Sequence, residues 1–233
     1  MPSPYLLEIS VDTVDAALAA ERGGAHRIEL CARLDLGGLT PEEKLMREIR
    51  ERVRLPIFTM VRPRAGDFVY TPEEIAQMRR DIAAAKRAGM NGAVLGVLTK
   101  DGRVDVERTR DLVKLAEPLP VTFHRAFDDV TDLDGALEDV IKSGAARILT
   151  SGGAPGAPGG VATLARLAAG ANQRIIILPG GGINASNILH VVGKTGVREI
   201  HSGLGSVLGY GHGDYLAFEK EVRRLAAQLS KVT

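Results

Sequence analysis

The chain has 233 residues, 45% of them apolar and 25% charged, with 30 Lys plus Arg against 29 Asp plus Glu. That balance supplies neither the basic field that nucleic acid recruits nor a polybasic membrane patch, and no apolar run reaches the roughly 20 residues of a membrane helix. A single cysteine, Cys31, rules out an internal disulfide and suits a reducing compartment. "MPSPYLLEIS" lacks the basic and apolar regions of a secretory signal, so a cytoplasmic protein is expected.

In chain order, short apolar runs alternate with amphipathic segments. "YLLEIS" (5–10) reads as a strand, and "TVDAALAAERGG" as a helix ending in glycine. "HRIELC" (26–31) is the second strand, and "PEEKLMREIRERV" a helix opened by Pro41. "PIFTMVRPR" (56–64) is the third; the helix after it carries Thr71 as N-cap and Pro72 at its first position. "NGAVLGVL" (91–98) is followed by a helix over 106–116, and "PVTFHRAFD" (120–128) by "DLDGALEDVIKSG". "ARILTSGG" (146–153) leads through a Gly/Pro-rich loop to a helix around 161–169. "RIIILPGGG" (174–182) precedes "NASNILHVVGKTG", "VREIHSG" (197–203) is the eighth strand, and a helix over 215–230 ends the series.

Strands separated by helical crossovers pair in parallel. Eight such units in about 250 residues match the size and count of a (β/α)8 or TIM barrel. A doubly wound sheet is the alternative, but it typically carries a glycine-rich fingerprint in its first turn, where this chain reads "EISVDTVDAA". "GGAHRIELC", "AGMNGAVLG", "SGAARILTS" and "TGVREIHSG" repeat one corner, a helix-ending glycine and then a strand. No linker or composition shift divides the chain, so residues 1–233 read as one α/β domain.

Barrel enzymes place their chemistry at the C-terminal strand ends. Those ends carry Glu8 and Ser10, Glu29 and Cys31, Met60 and Arg62, His124 and Arg125 with Asp128, Thr150 and Ser151, and His201 and Ser202. Ionisable groups in a barrel mouth are costly unless paired, so one reading is an ion cluster of Glu8, Glu29, Arg62 and Arg125. His124 suits a general acid or base near neutrality, or equally a hydrogen-bonded core position. If strands 8 and 1 close the barrel, His201 sits beside Glu8 and gains basicity. His26, His190 and His212 read as surface residues. "PGGGIN" (179–184) and "HSGLGS" fall where barrels often bind phosphate, so Gly181 and Gly182, with Ser151, Ser202, His201 and the arginines, are candidates for an anion site or else simply tight turns. No lysine stands at a strand end, which argues against Schiff-base chemistry.

"IELCARLDLGGLTP", "VRPRAGDFVYTPEE", "PVTFHRAFD", "RILTSGGAP", "LPGGGINASN" and "REIHSG" resemble, in order from about residue 7 to 202, the CutC family of copper homeostasis proteins. The resemblance implies a TIM barrel, a cytoplasmic location, association into dimers or higher oligomers, and a role in copper tolerance or trafficking. It also places the family's copper(I)-binding cysteine on Cys31; the further cysteine of animal members has no counterpart in "KLMREIRERVRLP". Copper(I) prefers two or more soft donors; Met60 is the nearest candidate for a second, with His124 or His201 to complete a set.

Three functions follow as expectations: a copper(I)-binding homeostasis protein; a barrel enzyme of isomerase, lyase or aldolase type; or a non-catalytic oligomeric scaffold. In the enzyme, Glu8, Glu29 and His124 move protons, while Arg62, Arg125, Gly181 and Gly182 hold a phosphorylated or carboxylated metabolite.

Overall fold

The structure, a computed structural model, describes residues 4–209 and 213–231. Eight parallel strands form one sheet: β1 (Leu6–Val11), β2 (Arg27–Leu30), β3 (Ile57–Met60), β4 (Gly92–Leu95), β5 (Val121–Phe123), β6 (Arg147–Thr150), β7 (Ile176–Pro179) and β8 (Glu199–Ser202). Between and after them run α1 (Val14–Gly23), α2 (Glu43–Arg52), α3 (Pro72–Arg87), α4 (Val106–Ala116), α5 (Leu133–Ser143), α6 (Val161–Ala171), α7 (Ile188–Thr195), α8 (Gly205–Leu208) and α9 (Tyr215–Leu229). The hydrogen-bonded order is β7-β6-β5-β4-β3-β2-β1-β8, and β8 packs against β7 across the seam, so the sheet curls into a nearly closed (β/α)8 barrel. Helix α9 packs on α1, α7 and β1 and completes the outer ring.

Local chemistry sets the helix ends. Thr71 and Glu74 form a reciprocal capping box at the start of α3, with Pro72 at its first position. Thr13, Asp105 and Asp132 cap α1, α4 and α5 with side-chain oxygens.

Apart from β1, each strand is shorter than the apolar run that announced it. Of residues 120–128 only three stay in the ladder; His124 leaves the sheet and caps a 3-10 turn over Arg125–Asp129. Residues 61–64 likewise leave the sheet beyond β3. Beyond its last ladder pair the chain must turn outward to the next helix, so the strand ends become the walls of the mouth. Helix α7 starts later than expected because Asn184 N–H donates to Asn187 Oδ1 and folds the loop on itself. The four-residue α8 had no sequence signal. His26 and His190 are exposed, as expected; His212 lies outside the described residues.

Strand alternation sorts the side chains. Leu7, Ile9 and Val11 join the apolar layer beneath the helices, while Glu8 and Ser10 take the opposite, inner face. The inner face is charged at one level and apolar beside it, where Cys31, Phe58, Met60 and Val94 form a small cluster.

Candidate functional site

Register brings the first group together. Glu8 stands opposite Arg27 on β2 and opposite His201 on β8. Arg27 Nε donates to Glu8 Oε2, and the other Glu8 oxygen lies 2.8 Å from His201 Nδ1. Arg27 Nη2 lies 2.8 Å from Glu199 Oε2, close enough for an ion pair but not aligned as a hydrogen bond, and Arg147 Nε donates to the same oxygen at 2.9 Å. Both guanidiniums also lie over the Phe58 ring, 4.8 and 5.1 Å from its centroid. Burial pushes the Glu8 carboxyl up, but Arg27 and His201 outweigh it and hold Glu8 at about 2. Burial depresses His201, and the Glu29 and Glu8 carboxylates outweigh it and raise the imidazole above its ordinary value.

Glu29, opposite Ser10 in the ladder, has poorer partners. Its Oε2 accepts the Cys31 thiol at 3.6 Å and lies 3.8 Å from His201 Nε2; its Oε1 is buried with no hydrogen-bond partner among the described residues. Burial raises this carboxyl, offset in part by His201 and reinforced by Glu8. An unsatisfied buried polar atom costs about 1–3 kcal/mol.

A cavity of about 400 Å³ opens above this level. Glu29, Ser10, Met60, Arg62, His124, Arg125, Gly181, Gly182 and His201 all line it; Glu8, Cys31, Ser151 and Ser202 do not. The His124 ring is buried, its Nδ1 accepts Ala126 N–H at 3.2 Å, and its Nε2 has no partner among the described residues. Burial, then the Arg62 charge, lowers this histidine to about 3, so the imidazole is neutral. Arg62 donates to the carbonyls of Leu36, Gly38 and Gly66 and lies over the Phe68 ring at 4.8 Å, so most of its donors fasten loops.

Arg125 sits across the mouth. Asp128 and Ser151 hold it at 2.8 and 3.1 Å, and Asp128 also accepts Thr150 Oγ1 and the N–H groups of Ser151 and Gly153. Gly181 and Gly182 turn with φ of +92° and +70°, open to glycine without strain. Their carbonyls accept from Ala157 N–H and Asn187 Nδ2, while the N–H groups of Gly181, Gly182 and Ile183 meet no acceptor among the described residues. A Cβ on Gly181 would lie 3.2 Å from Arg125 Nη1, so the Gly181 backbone and the guanidinium are neighbours at the mouth.

The expected cluster of Glu8, Glu29, Arg62 and Arg125 is therefore replaced by Glu8 with Arg27 and His201. Asp128 stood among the strand-end residues and Arg27 was legible, since residues 27, 29 and 31 share a face; Arg147, Glu199 and Phe68 carried no comparable motif. Ser202 takes the face opposite His201, and its hydroxyl donates to Ile183 O at 2.7 Å. Ser151 Oγ is engaged with Arg125, Asp128 and Ala154 O.

Two places offer metal donors. Oxygen and nitrogen atoms of Glu8, Glu29 and His201 lie within 4.8 Å of one another, but Glu8 already serves Arg27 and His201, and the two carboxylates are hard donors that do not match copper(I). Cys31 is fully buried, its thiol pushed well up by burial and by Glu29. A Cβ on Gly38 would lie 2.9 Å from Cys31 Sγ and 3.4 Å from Met60 Cε, so the two sulfur side chains crowd one point.

The profile of the CutC family matches residues 5–206. A human relative, named copper homeostasis protein cutC homolog, is 45% identical over 84% of this chain and 72% of its own length. A CutC family protein of Vibrio campbellii is 48% identical over 84% and 80%. The crystal structure of a CutC protein from Streptococcus agalactiae superposes with a TM-score of 0.81 at 30% identity, covering 85% of this chain and 98% of that one. Thiamine phosphate pyrophosphorylase of Pyrococcus furiosus, at 17% identity and a TM-score of 0.65, shares the fold. Matched along most of its length by the profile, by these relatives and by the barrel itself, the chain belongs to the CutC family.

Proposed function

We propose that the barrel mouth binds a small phosphorylated or carboxylated metabolite and acts on it by acid–base chemistry, as an isomerase, lyase or aldolase without a Schiff base. One observation carries this reading: Glu29 Oε1 and His124 Nε2, both buried and without a hydrogen-bond partner among the described residues, belong to residues lining one cavity that Arg125, Gly181, Gly182 and Ile183 also line. Buried polar atoms in folded proteins are nearly always satisfied, and a ligand carrying a donor, an acceptor and an anionic end would satisfy these. Arg125 and Gly181–Gly182 hold the anion; Glu29 and His124 face the reacting atoms; Glu8 and His201 hold the charge pattern beneath.

A thermal-shift panel of inorganic phosphate, sugar phosphates and dicarboxylates tests it. A ligand at 100 times its Kd stabilises by about 2.7 kcal/mol, and Arg125→Ala is expected to erase that shift. A flat response across the panel would sink the reading.

A second reading is copper(I) bound at Cys31 as cargo. The relatives' copper homeostasis name and the crowding of Cys31 Sγ and Met60 Cε opposite Gly38 favour it. Cys31 supplies its only thiolate, so an ion there needs Met60 as its second soft donor. Titration of the reduced protein with copper(I) against a chelator decides it: Cys31→Ser binding as tightly as wild type rejects the site. A cytoplasmic location and a homo-oligomer, dimer or higher, belong to this proposal too. Leu216 on α9, 79% exposed, is the most exposed large apolar side chain among the described residues, and light scattering reads the oligomeric state.

A further inference from the structure

His124 is held more firmly than a surface histidine would be. It is the N-cap of the 3-10 turn over Arg125–Asp129, and its Nδ1 accepts the Ala126 N–H that this turn would otherwise leave bare. Because Nδ1 accepts, the single proton of the neutral ring sits on Nε2. Gly96 makes the position possible, since a Cβ there would lie 2.6 Å from Nδ1 and 2.7 Å from Cε1. Phe68 packs on the ring with centroids 4.8 Å apart. The ring is thus fixed with an N–H donor that nothing among the described residues accepts, although the side chain is only 3% exposed and lines the cavity.

The same cavity holds the complementary atom. Glu29 Oε1 is an acceptor without a donor among the described residues, and the third feature of the mouth is the proposed anion seat of Arg125, Gly181 and Gly182. A fixed neutral N–H suits an oxygen that gains negative charge during reaction, and a neutral imidazole does this without giving up its proton. A carboxylate suits a proton that must leave.

We propose that the substrate is a phosphorylated α-hydroxycarbonyl compound: the His124 Nε2–H donates to its carbonyl oxygen, and Glu29 removes the proton from the adjacent hydroxyl-bearing carbon. This rests on the anion-binding mouth proposed above and adds the substrate class and the step. The C–H bond breaks, its electron pair becomes the C–C π bond of an enediolate, and the former carbonyl oxygen carries the charge against His124. The proton rests on Glu29 and returns to either of the two carbons, or exchanges with solvent first. No electrons are gained or lost overall, so the step needs no oxidant, reductant or second substrate.

The test is deuterium exchange. The full chain is incubated in heavy water with dihydroxyacetone phosphate, ribulose 5-phosphate or glucose 6-phosphate, and the α C–H signal is followed by proton NMR, with unphosphorylated dihydroxyacetone as control. Exchange of at least one phosphorylated probe is expected well above the buffer rate, and not of the control. Glu29→Gln is expected to lose about 100-fold or more of the exchange, and His124→Asn at least about 10-fold, while both keep the part of the probe's thermal stabilisation that Arg125 and the glycine loop supply. Circular dichroism confirms that each variant is folded, and Glu29→Asp, which keeps the carboxylate but withdraws it, is expected to fall between. Probes that stabilise the protein without exchanging overturn the carbonyl proposal alone. Exchange at the wild-type rate in Glu29→Gln overturns it as well. Probes that neither stabilise nor exchange overturn the anion-binding mouth together with it.

Discussion

The inner ladder and the mouth use the same residue types and leave them in opposite states. Below, Arg27 lies between Glu8 and Glu199, Arg147 adds a second cation to Glu199, and His201 takes the remaining oxygen of Glu8. Above, Glu29 is as buried as Glu8 but has a thiol and a distant imidazole where Glu8 has a guanidinium. Burial does not distinguish the two carboxylates; their partners do. Glu8 is driven down to about 2, and Glu29 is driven up. The cations of the inner face lie low, where they stabilise the barrel, and the mouth keeps open valences that a ligand can fill.

The most severe way to break this contrast is Arg27→Met. Removing one partner from a buried ion cluster leaves Glu8 and Glu199 short of a cation, which costs about 3–5 kcal/mol. At about 2–4 °C per kcal/mol for a chain of this size, the melting temperature should fall by about 6–20 °C. Glu29→Gln removes a buried carboxylate that no guanidinium pairs and that His201 Nε2 approaches only to 3.8 Å, and its stability should stay within about 1 kcal/mol of wild type. Urea unfolding of both variants checks the pair; comparable losses would erase the distinction between ladder and mouth.

The histidines sharpen the contrast through pH. His124, at about 3 when folded against an ordinary 6.5, is neutral in the native state. The unfolded chain binds its proton first, so this stability is full above about pH 6.5 and is lost as pH falls toward 3. Glu8 acts in the same direction from 4.5 down to about 2. His201 is raised, so its stability is present below 6.5 and is lost as pH rises through its folded value. In unfolding series from pH 4 to 9, His124→Asn should flatten the acid arm by up to about 1.4 kcal/mol per pH unit. His201→Asn should flatten the alkaline arm. An unchanged acid slope in His124→Asn would show that the ring is not held neutral.

How much of this was readable follows from strand parity. The alternation of apolar runs and helices announces the barrel, and the closure of β8 on β1 places His201 beside Glu8. The same period of two makes Arg27 an inner residue with Glu29, and turns Ser202 away once His201 points inward. What parity cannot reach is the chain after the strands end. Arg62 turns onto loop carbonyls that adjoin it only once three loops have folded. Asp128 reaches β6 through a 3-10 turn that no local pattern announced.

Gly96→Ala probes the mouth from the outer side of His124. Its methyl group would collide with the imidazole, whose displacement must disturb the Ala126 cap and the Phe68 contact. Overpacking of this kind costs about 1–3 kcal/mol, less than loss of Arg27, and should lower ligand-induced stabilisation as well. Full ligand response in Gly96→Ala would mean that the ring's fixed position does not matter.

The smallest effect is expected at Cys31. Its side chain packs with Phe58, Met60 and Val94 and gives its S–H to Glu29. In Cys31→Ser a hydroxyl takes over that donation, so Glu29 keeps its partner and only apolar contact is lost, at about 1 kcal/mol. Cys31→Ala fills the same cluster but takes the donor from Glu29, leaving both of its oxygens without a full hydrogen bond. The alanine variant should therefore unfold more easily than the serine variant, by about 1 kcal/mol, in paired urea titrations at pH 7. If serine is the worse of the two, the residue belongs to the apolar cluster and contributes nothing to the state of Glu29. If alanine is worse, the lone cysteine of this chain is tied to the mouth through the carboxylate two positions before it, whether or not a metal ever reaches its sulfur.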